Sequence, residues 1–157
     1  MQKHVDHTRL ADVDTTLLVN GSRREKAIFT RTETGLLAMI QWGALELHSW
    51  QCHVETGEHP DQLVFDLDPD DSVPWKIVKE AAFEIRDLLK GLNLKSFVKT
   101  TGGKGLHIHV PIAPIYRWDQ TKNFSMAVMQ QLESEQPGRY TTKISKKARK
   151  GKIFLDY

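Results

Sequence analysis

The sequence contains one cysteine, Cys52, among its 157 residues. A single cysteine excludes a disulfide within the chain and fits a reducing compartment, so we expect a cytoplasmic protein. No apolar run approaches the roughly 18 residues that a membrane span needs. The opening residues, 1–10, lack the apolar core of a signal peptide. These absences argue against a disulfide-stapled secreted scaffold and against a membrane partner.

The chain also lacks internal repeats, low-complexity tracts and an evident linker. Its length is sufficient for a hydrophobic core, and 39% hydrophobic with 27% charged residues is typical of a globular protein. We therefore expect one domain over 1–157. Net charge is only +2, but six of the ten residues from Lys143 to Lys152 are basic and none is acidic. This local excess indicates an anionic partner.

The first third of the chain predicts a hairpin followed by a helix. Strands are expected at 15–19 and 27–31, joined by the polar turn at 20–26. The helix is expected over 33–47, with Thr32 or Thr34 as its N-cap. Its apolar face would then consist of Leu36, Leu37, Ile40, Ala44 and Leu47.

From residue 63 onward, strand and helix patterns alternate. Helices are predicted from an N-cap at Asp71 or Ser72 to about Gly91, and over 119–135. Strands are predicted at 63–68, 95–100, 106–112, 140–144 and 152–157. The order β, α, β, β, α, β is that of the split βαβ, ferredoxin-like pattern, in which helices cover one side of an antiparallel sheet. The predicted fold class is therefore α+β.

The segment LVFDLD places two acids inside an apolar strand. Residues two apart in a strand point to the same face, so Asp66 and Asp68 share one face while Phe65 and Leu67 take the other. Two neighbouring carboxylates repel each other, and a divalent cation removes that cost. Mg²⁺ and Mn²⁺ prefer such oxygen ligands. The simpler alternative is that both acids face solvent.

The segment TTGGKGLHIHV places a glycine loop before a strand. Backbone amides of such a loop can turn towards an anion, and Lys104 adds a positive charge. The sequence does not match a P-loop, whose pattern G-x-x-x-x-G-K-[ST] leads into a helix. In KIFLDY, Asp156 offers a third carboxylate. Three acids, an anion loop and the basic run together predict two-metal phosphoryl chemistry on nucleotides.

The segments FDLDPDDSVPW, SFVKTTGGKGLHIHVPI and KKARKGKIFLDY, together with ELHSW at 46–50 and the opening QKH, resemble the polymerase domain of bacterial ligase D. That family belongs to the archaeo-eukaryotic primase superfamily and acts in non-homologous end joining. The resemblance implies a primase-polymerase catalytic core with a ferredoxin-like or RRM-like sheet. Family domains are longer at both ends, so residues 1–157 would lack the usual N- and C-terminal segments.

The resemblance also implies roles for individual residues. Two Mn²⁺ or Mg²⁺ ions would be held by the catalytic acids Asp66, Asp68 and Asp156. The incoming triphosphate would be bound by Thr101, Gly103, Lys104, Gly105, His107 and Arg149, with His48 facing the nucleotide pocket. Lys146 and Lys147 would contact DNA phosphates. The expected substrates are NTPs or dNTPs, with ribonucleotides preferred, and DNA ends or gapped duplexes. A separate DNA ligase and a Ku-type end-binding protein are the implied protein partners, and the implied location is the bacterial cytoplasm, in association with the nucleoid.

Three alternatives stay open on the sequence alone. The chain could be a catalytically silent module that binds DNA ends or a partner, or it could be a two-metal nuclease. A nuclease has no use for a triphosphate-binding loop, which disfavours it. A zinc site is conceivable at His48, Cys52, His53 and His59, although this spacing matches no standard zinc finger.

Overall fold

The structure, a computed structural model, describes residues 10–20 and 23–157, and the side chains of 10–17 and 26–157. These residues form two compact units that divide between Glu58 and His59. The expectation of one domain over 1–157 stays a prediction. The residues QKH, at 2–4, and part of the predicted turn at 20–26 lie outside the described residues.

The first unit contains an antiparallel hairpin of β1 (Asp14–Asn20) and β2 (Arg23–Phe29). Helix α1 (Glu33–Gln41) and a 3₁₀ turn (Val54–Thr56) follow. The hairpin was predicted from its apolar runs, but the strands extend further into the turn than the sequence indicated. The polar segment NGSRREK therefore belongs in part to the ladder.

Helix α1 begins as predicted and differs in the face that it buries. The N-cap is Thr32, whose hydroxyl accepts a hydrogen bond from the Gly35 amide at 3.1 Å. The helix ends at Gln41 rather than Leu47. Its buried residues are Gly35 and Met39, so the predicted leucine-rich face is wrong. Gly35 lies so close to Thr30 that a Cβ would overlap it, and this contact sets which side of α1 is buried.

The second unit is a five-stranded sheet with two long helices. The strands occur in the spatial order β4-β5-β3-β7-β6. The helices are α2 (Trp75–Gly91), α3 (Trp118–Glu135) and the short α4 (Lys146–Arg149). The strands are β3 (Gln62–Pro69), β4 (Phe97–Thr100), β5 (Leu106–Pro111), β6 (Tyr140–Thr141) and β7 (Ile153–Asp156).

This arrangement confirms the α+β class and the predicted succession β, α, β, β, α, β along the chain, and β7 is inserted in the sheet between β3 and β6. Strand β3 pairs antiparallel with both β5 and β7, and β4 pairs antiparallel with β5. The sheet is mixed rather than purely antiparallel, because β6 runs parallel to β7. Helix α4 was not predicted: at four residues it is too short for an apolar period to reveal it.

The core lies between one face of this sheet and helices α2 and α3. Alternate residues of β3, β5 and β7 point into it, and α2 and α3 each contribute an apolar stripe. Its principal members are Leu63, Phe65, Leu67, Ala81, Ile85, Leu89, Ile108, Val110, Met129, Leu132, Ile153 and Leu155. The opposite face of the sheet therefore carries the intervening residues of the same strands.

The start of α2 differs from the predicted cap. Pro74 occupies the N-cap position and gives no side-chain cap. Instead, the Asp70 carboxylate accepts hydrogen bonds from the amide and the hydroxyl of Ser72, at 3.1 and 2.6 Å. This Asx-type turn uses Ser72, one of the two predicted caps, together with Asp70, which was not predicted to take part. Across residues 10–20 and 23–157, no helix is both long and apolar enough to cross a membrane.

Candidate active site

The sheet register brings the acidic residues and a histidine together. Asp66 on β3 is the register partner of both Asp156 on β7 and His107 on β5. Directly opposite residues of antiparallel strands project from the same face, and Asp68 lies two residues further along β3. All four side chains therefore occupy the sheet face opposite the core. We refer to this side of the sheet, with Asp66, Asp68 and Asp156, as the acidic face.

The electrostatics of this face centre on Asp66. Its Oδ1 atom lies 3.6 Å from Nε2 of His107, and both side chains are partly exposed. Burial raises the pKa of Asp66; the charges of Asp68 and Asp156 raise it further, against the opposing effect of His107. The acids are thus close enough to repel one another, and a bound cation would relieve that repulsion.

The glycine loop between β4 and β5 is fixed against the strand that carries Asp66. The Thr101 hydroxyl accepts a hydrogen bond from the Gly103 amide and donates one to the Gly105 carbonyl, both at 3.4 Å. Gly105 packs on the backbone of Leu67, so closely that a Cβ would overlap the Leu67 carbonyl oxygen. Only glycine permits this approach, and the loop consequently lies beside the acidic face.

Lys104 projects from this loop and forms an ion pair with Asp71. Both side chains are well exposed, at 66% and 86%. Exposed ion pairs contribute little stability, so a more highly charged anion could displace Asp71 from the ammonium group. Asp71 was not predicted as a partner of Lys104. No pattern would have revealed it, because the two residues are brought together only by the fold.

Arg149 is positioned by the short helix α4. Its Nη1 donates to Oδ2 of Asp68 at 3.1 Å, and its guanidinium lies 3.4 Å from the centroid of the Phe154 ring. The Nε atom is buried and has no hydrogen-bond partner among the described residues. Phe154 was missed by the sequence analysis. Alternation in KIFLDY was the available signal, since it places Phe154 on the face of Asp156.

The other predicted phosphate ligands are exposed. Lys146 and Lys147 lie on α4, on the solvent side. His48 belongs to the first unit, where its Nε2 atom lies 3.3 Å from Oε1 of Glu46. The roles of these three residues stay predictions.

His109 also lies on the acidic face, two residues after His107. Its Nδ1 atom is 3.0 Å from Oε1 of Gln62, and the rings of the two histidines are 6.0 Å apart. Burial and the nearby charges of Lys99 and His107 lower the pKa of His109. These contacts place His109 on the surface of the sheet, beside Gln62 and His107.

A divalent cation on this face would take its ligands from Asp66, Asp68 and Asp156. Three carboxylates on adjacent strands are a donor set suited to Mg²⁺ or Mn²⁺. In the described conformation, however, Asp68 turns to Arg149. Within the described residues, no three His, Cys, Asp or Glu side chains are gathered as a metal site, in residues 48–59 or elsewhere. The positions and chemistry of the three acids fit a cation, and the Asp68–Arg149 ion pair competes with it.

Comparison with known proteins gives one family. The family model described as the LigD primase-polymerase domain matches residues 1–157. The multifunctional non-homologous end joining protein LigD of Pseudomonas aeruginosa is 40% identical over 127 residues. The protein of the same name from Mycolicibacterium smegmatis is 37% identical over 128 residues. These alignments cover 81% and 80% of this chain, but only 15% and 17% of the two relatives.

A solved structure gives the same result at the level of the fold. The polymerase domain of Mycobacterium tuberculosis ligase D, in complex with DNA, superposes with a TM-score of 0.85 at 29% sequence identity. The match covers 99% of this chain and 57% of that one. The described fold is therefore that of a large part of a DNA-bound polymerase domain.

Proposed function

The chain belongs to the LigD primase-polymerase domain family, as its motifs predicted, and from this membership we propose that it is a nucleotidyltransferase of DNA end joining. The proposed reaction adds nucleotides to a 3′ end at a DNA gap or break. The relatives are named for non-homologous end joining, and the solved polymerase domain is bound to DNA. Because the chain spans less than a fifth of those two relatives, the proposal also depends on the residues of the chain's own site.

One observation supports this function most strongly: Asp66 faces both Asp156 and His107 across the sheet. Strand β5, which follows the glycine loop, pairs directly with β3, which carries Asp66. A group that binds cations and a loop that suits phosphates are thus adjacent. This is the combination that nucleotidyl transfer from a triphosphate requires.

In the proposed site, Asp66, Asp68 and Asp156 would hold Mn²⁺ or Mg²⁺, with two ions and a preference for Mn²⁺ expected for the family. Such ions, when bound, polarise phosphoryl oxygens and lower the pKa of an attacking hydroxyl. Asp68 would hold a cation only once it is released from its ion pair with Arg149. Arg149, released from Asp68 and still stacked on Phe154, is then placed to bind the triphosphate.

The glycine loop would hold the β- and γ-phosphates. Lys104 leaves its exposed ion pair with Asp71 and contacts the triphosphate. The amides of Gly103 and Gly105 and the hydroxyl of Thr101 supply further donors. His107, one strand away from Asp66, donates from its ring nitrogen to the same anion.

The proposed step conserves atoms and charge. The oxygen of the 3′-hydroxyl bonds to the α-phosphorus of the nucleotide, while the bond from that phosphorus to the bridging oxygen breaks. Pyrophosphate leaves, and the hydroxyl proton passes to water. We expect ribonucleotides to be preferred. A separate ligase and a Ku-type end-binding protein are the proposed partners in repair.

Primer extension on gapped, 5′-phosphorylated DNA tests this function. The wild-type chain should extend the primer with Mn²⁺ and rNTPs, and more slowly with dNTPs. Asp66→Asn and Asp156→Asn should each reduce extension by at least 100-fold, since each removes a charge from the site. Asp87→Asn is the matched control: Asp87 is an exposed acid on α2, which packs on the opposite sheet face, and it pairs with Arg86.

Extension that survives Asp66→Asn would remove Asp66 from the site. A folded wild-type chain that neither extends a primer nor binds an NTP, yet binds DNA, would overturn the enzymatic proposal. It would instead support the catalytically silent DNA-binding module.

A further inference from the structure

The edge strand β4 and the residues just before it carry a basic-aromatic-basic pattern. Phe97 is the register partner of His109, and Lys99 is the register partner of His107. Both side chains therefore share the sheet face of Asp66. Just before the strand, the ammonium group of Lys95 lies 5.2 Å from the centroid of the Phe97 ring. We refer to Lys95, Phe97 and Lys99 as the β4 strip.

The strip is open to solvent. All four residues of β4 are exposed, and Phe97 retains 50% of its accessible surface. A single exposed apolar residue is ordinary on a protein surface. This one, however, is flanked by two cations and lies on the face that carries the candidate active site. Packing in the hydrophobic core does not explain why an aromatic residue stands at position 97.

The charges of the strip are unpaired. In the part of the chain that the structure describes, neither Lys95 nor Lys99 forms an ion pair, whereas Lys104 and Arg149 both do. Two unpaired cations beside an exposed aromatic ring complement a polyanion that also presents flat, apolar bases. Single-stranded nucleic acid has this chemistry, and proteins bind it with basic grooves and aromatic stacking platforms.

We propose that the β4 strip binds the single-stranded part of the DNA substrate, with one base stacked on Phe97 and with Lys95 and Lys99 on flanking phosphates. The proposal rests on the proposed function for its choice of DNA. It adds a binding site that lies beyond the acids and the glycine loop.

The position of the strip relates it to the acidic face. Lys99 lies opposite His107, and His107 lies opposite Asp66, so the three residues form one row across β4, β5 and β3. Two interstrand spacings separate Lys99 from Asp66, about 10 Å. A strand held on Phe97 would thus approach the acidic face across β5, past His107.

A groove on the other side of β4 provides the matched control. It lies between β4 and α2, has a volume of about 440 Å³, and is lined by Trp75, Phe83 and Val98, and also by Phe97. Phe83 is 56% exposed, and the Arg86 guanidinium lies 4.8 Å from its ring centroid. Phe83 thus reproduces the exposed ring and adjacent cation of Phe97, but on the helix side.

Fluorescence anisotropy with a labelled 12-residue oligo(dT) tests the proposal, without nucleotide or metal. Phe97→Ala should weaken binding about 5- to 160-fold, the range for loss of one stacked base. Phe97→Tyr keeps the ring and should bind within about threefold of wild type. Phe83→Ala should bind as wild type. Lys99→Ala should reduce the slope of log K against log salt by about 0.7, the value for one phosphate contact on a single strand.

Each contrary result is decisive. Three results would each overturn the proposal that the β4 strip binds single-stranded DNA. They are equal binding by Phe97→Ala and wild type, equal losses in Phe97→Ala and Phe83→Ala, and no oligonucleotide binding by the wild-type chain. Thermal unfolding of the variants checks that their folds are intact. A chain that binds through Phe97 but never extends a primer would overturn only the proposed function. A wild-type chain that extends primers, together with a Phe97→Ala variant that binds the oligonucleotide as wild type does, would overturn only the proposal for the β4 strip.

Discussion

At the scale of single residues, the candidate site depends on where three aspartates fall in the sheet register. The two-residue spacing of Asp66 and Asp68 predicted their shared face. The pairing of Asp66 with both Asp156 and His107 was not predictable from spacing, because register is set by contacts between strands far apart in sequence. The sequence thus indicated that the acidic face binds cations, but it did not indicate which residues lie opposite each other on that face.

Gly105 illustrates a residue whose identity is required by the fold. A methyl group at Gly105 would overlap the Leu67 carbonyl oxygen, whereas at Gly103 its nearest neighbour would be Thr101 Oγ1 at 3.7 Å. We expect Gly105→Ala to destabilise the chain by about 2 kcal/mol through overpacking, and Gly103→Ala to cost under 1 kcal/mol. Urea unfolding measures both. Equal destabilisation by the two substitutions would contradict the close packing of Gly105.

Asp71 is expected to compete with the triphosphate for Lys104. Asp71→Asn removes the ion-pair partner of Lys104 and a negative charge near the loop. The variant should bind an NTP about two- to fivefold more tightly, since exposed pairs are weak. Isothermal titration measures this change, with Asp87→Asn as the control for loss of an exposed acid. Weaker binding by Asp71→Asn would show that Asp71 supports the loop rather than competing with the ligand.

At the scale of elements, periodicity predicted the long helices and the strands that carry the acids. It failed at α1 and α4, for different reasons. The buried side of α1 is set by the close contact of Gly35 with Thr30, which hydrophobicity does not encode. Helix α4 is a short turn, yet it places Arg149 against Asp68.

The end of β6 is held to α3 by one carboxylate. Glu133 accepts hydrogen bonds from the Thr142 amide and hydroxyl at 3.1 and 2.6 Å, and from the Thr141 hydroxyl at 3.3 Å. Partial burial opposes ionisation of Glu133, but the hydrogen bonds from Thr142 and Thr141 outweigh it and lower its pKa below 4.5. A carboxyl whose folded pKa is depressed stabilises the fold above its unfolded pKa.

We therefore expect Glu133→Gln to lower the free energy of unfolding by about 1 kcal/mol at pH 7. The difference from wild type should persist down to about pH 4.5 and shrink as pH falls through the lower folded pKa. Urea unfolding between pH 3 and pH 7 measures it. Glu135→Gln, an exposed acid two residues later on α3, is the control. A Glu133→Gln difference that is unchanged at pH 3 would contradict the contribution of the charged form.

At the scale of the whole molecule, the second unit holds most of the predicted site. The acids, the glycine loop, Arg149 and the β4 strip all lie within His59–Tyr157. Two basic residues of the run at 143–152 already have partners within the chain. Arg149 binds Asp68, and Lys152 donates a hydrogen bond to the Pro137 carbonyl at 2.6 Å. The composition predicted an anionic partner for this run, but only the structure shows which of its charges are already engaged.

We propose, above all, that Asp66, Asp68 and Asp156 form one site with the glycine loop, for a cation and a triphosphate. Mn²⁺ binding followed by electron paramagnetic resonance tests it without DNA. We predict that an NTP tightens Mn²⁺ binding to the wild-type chain and to Asp87→Asn at least tenfold. Asp66→Asn and Lys104→Ala should each abolish most of that gain, the first by weakening the cation and the second by weakening the triphosphate. Mn²⁺ binding that is the same in the wild type and Asp66→Asn, with or without the NTP, would contradict the claim.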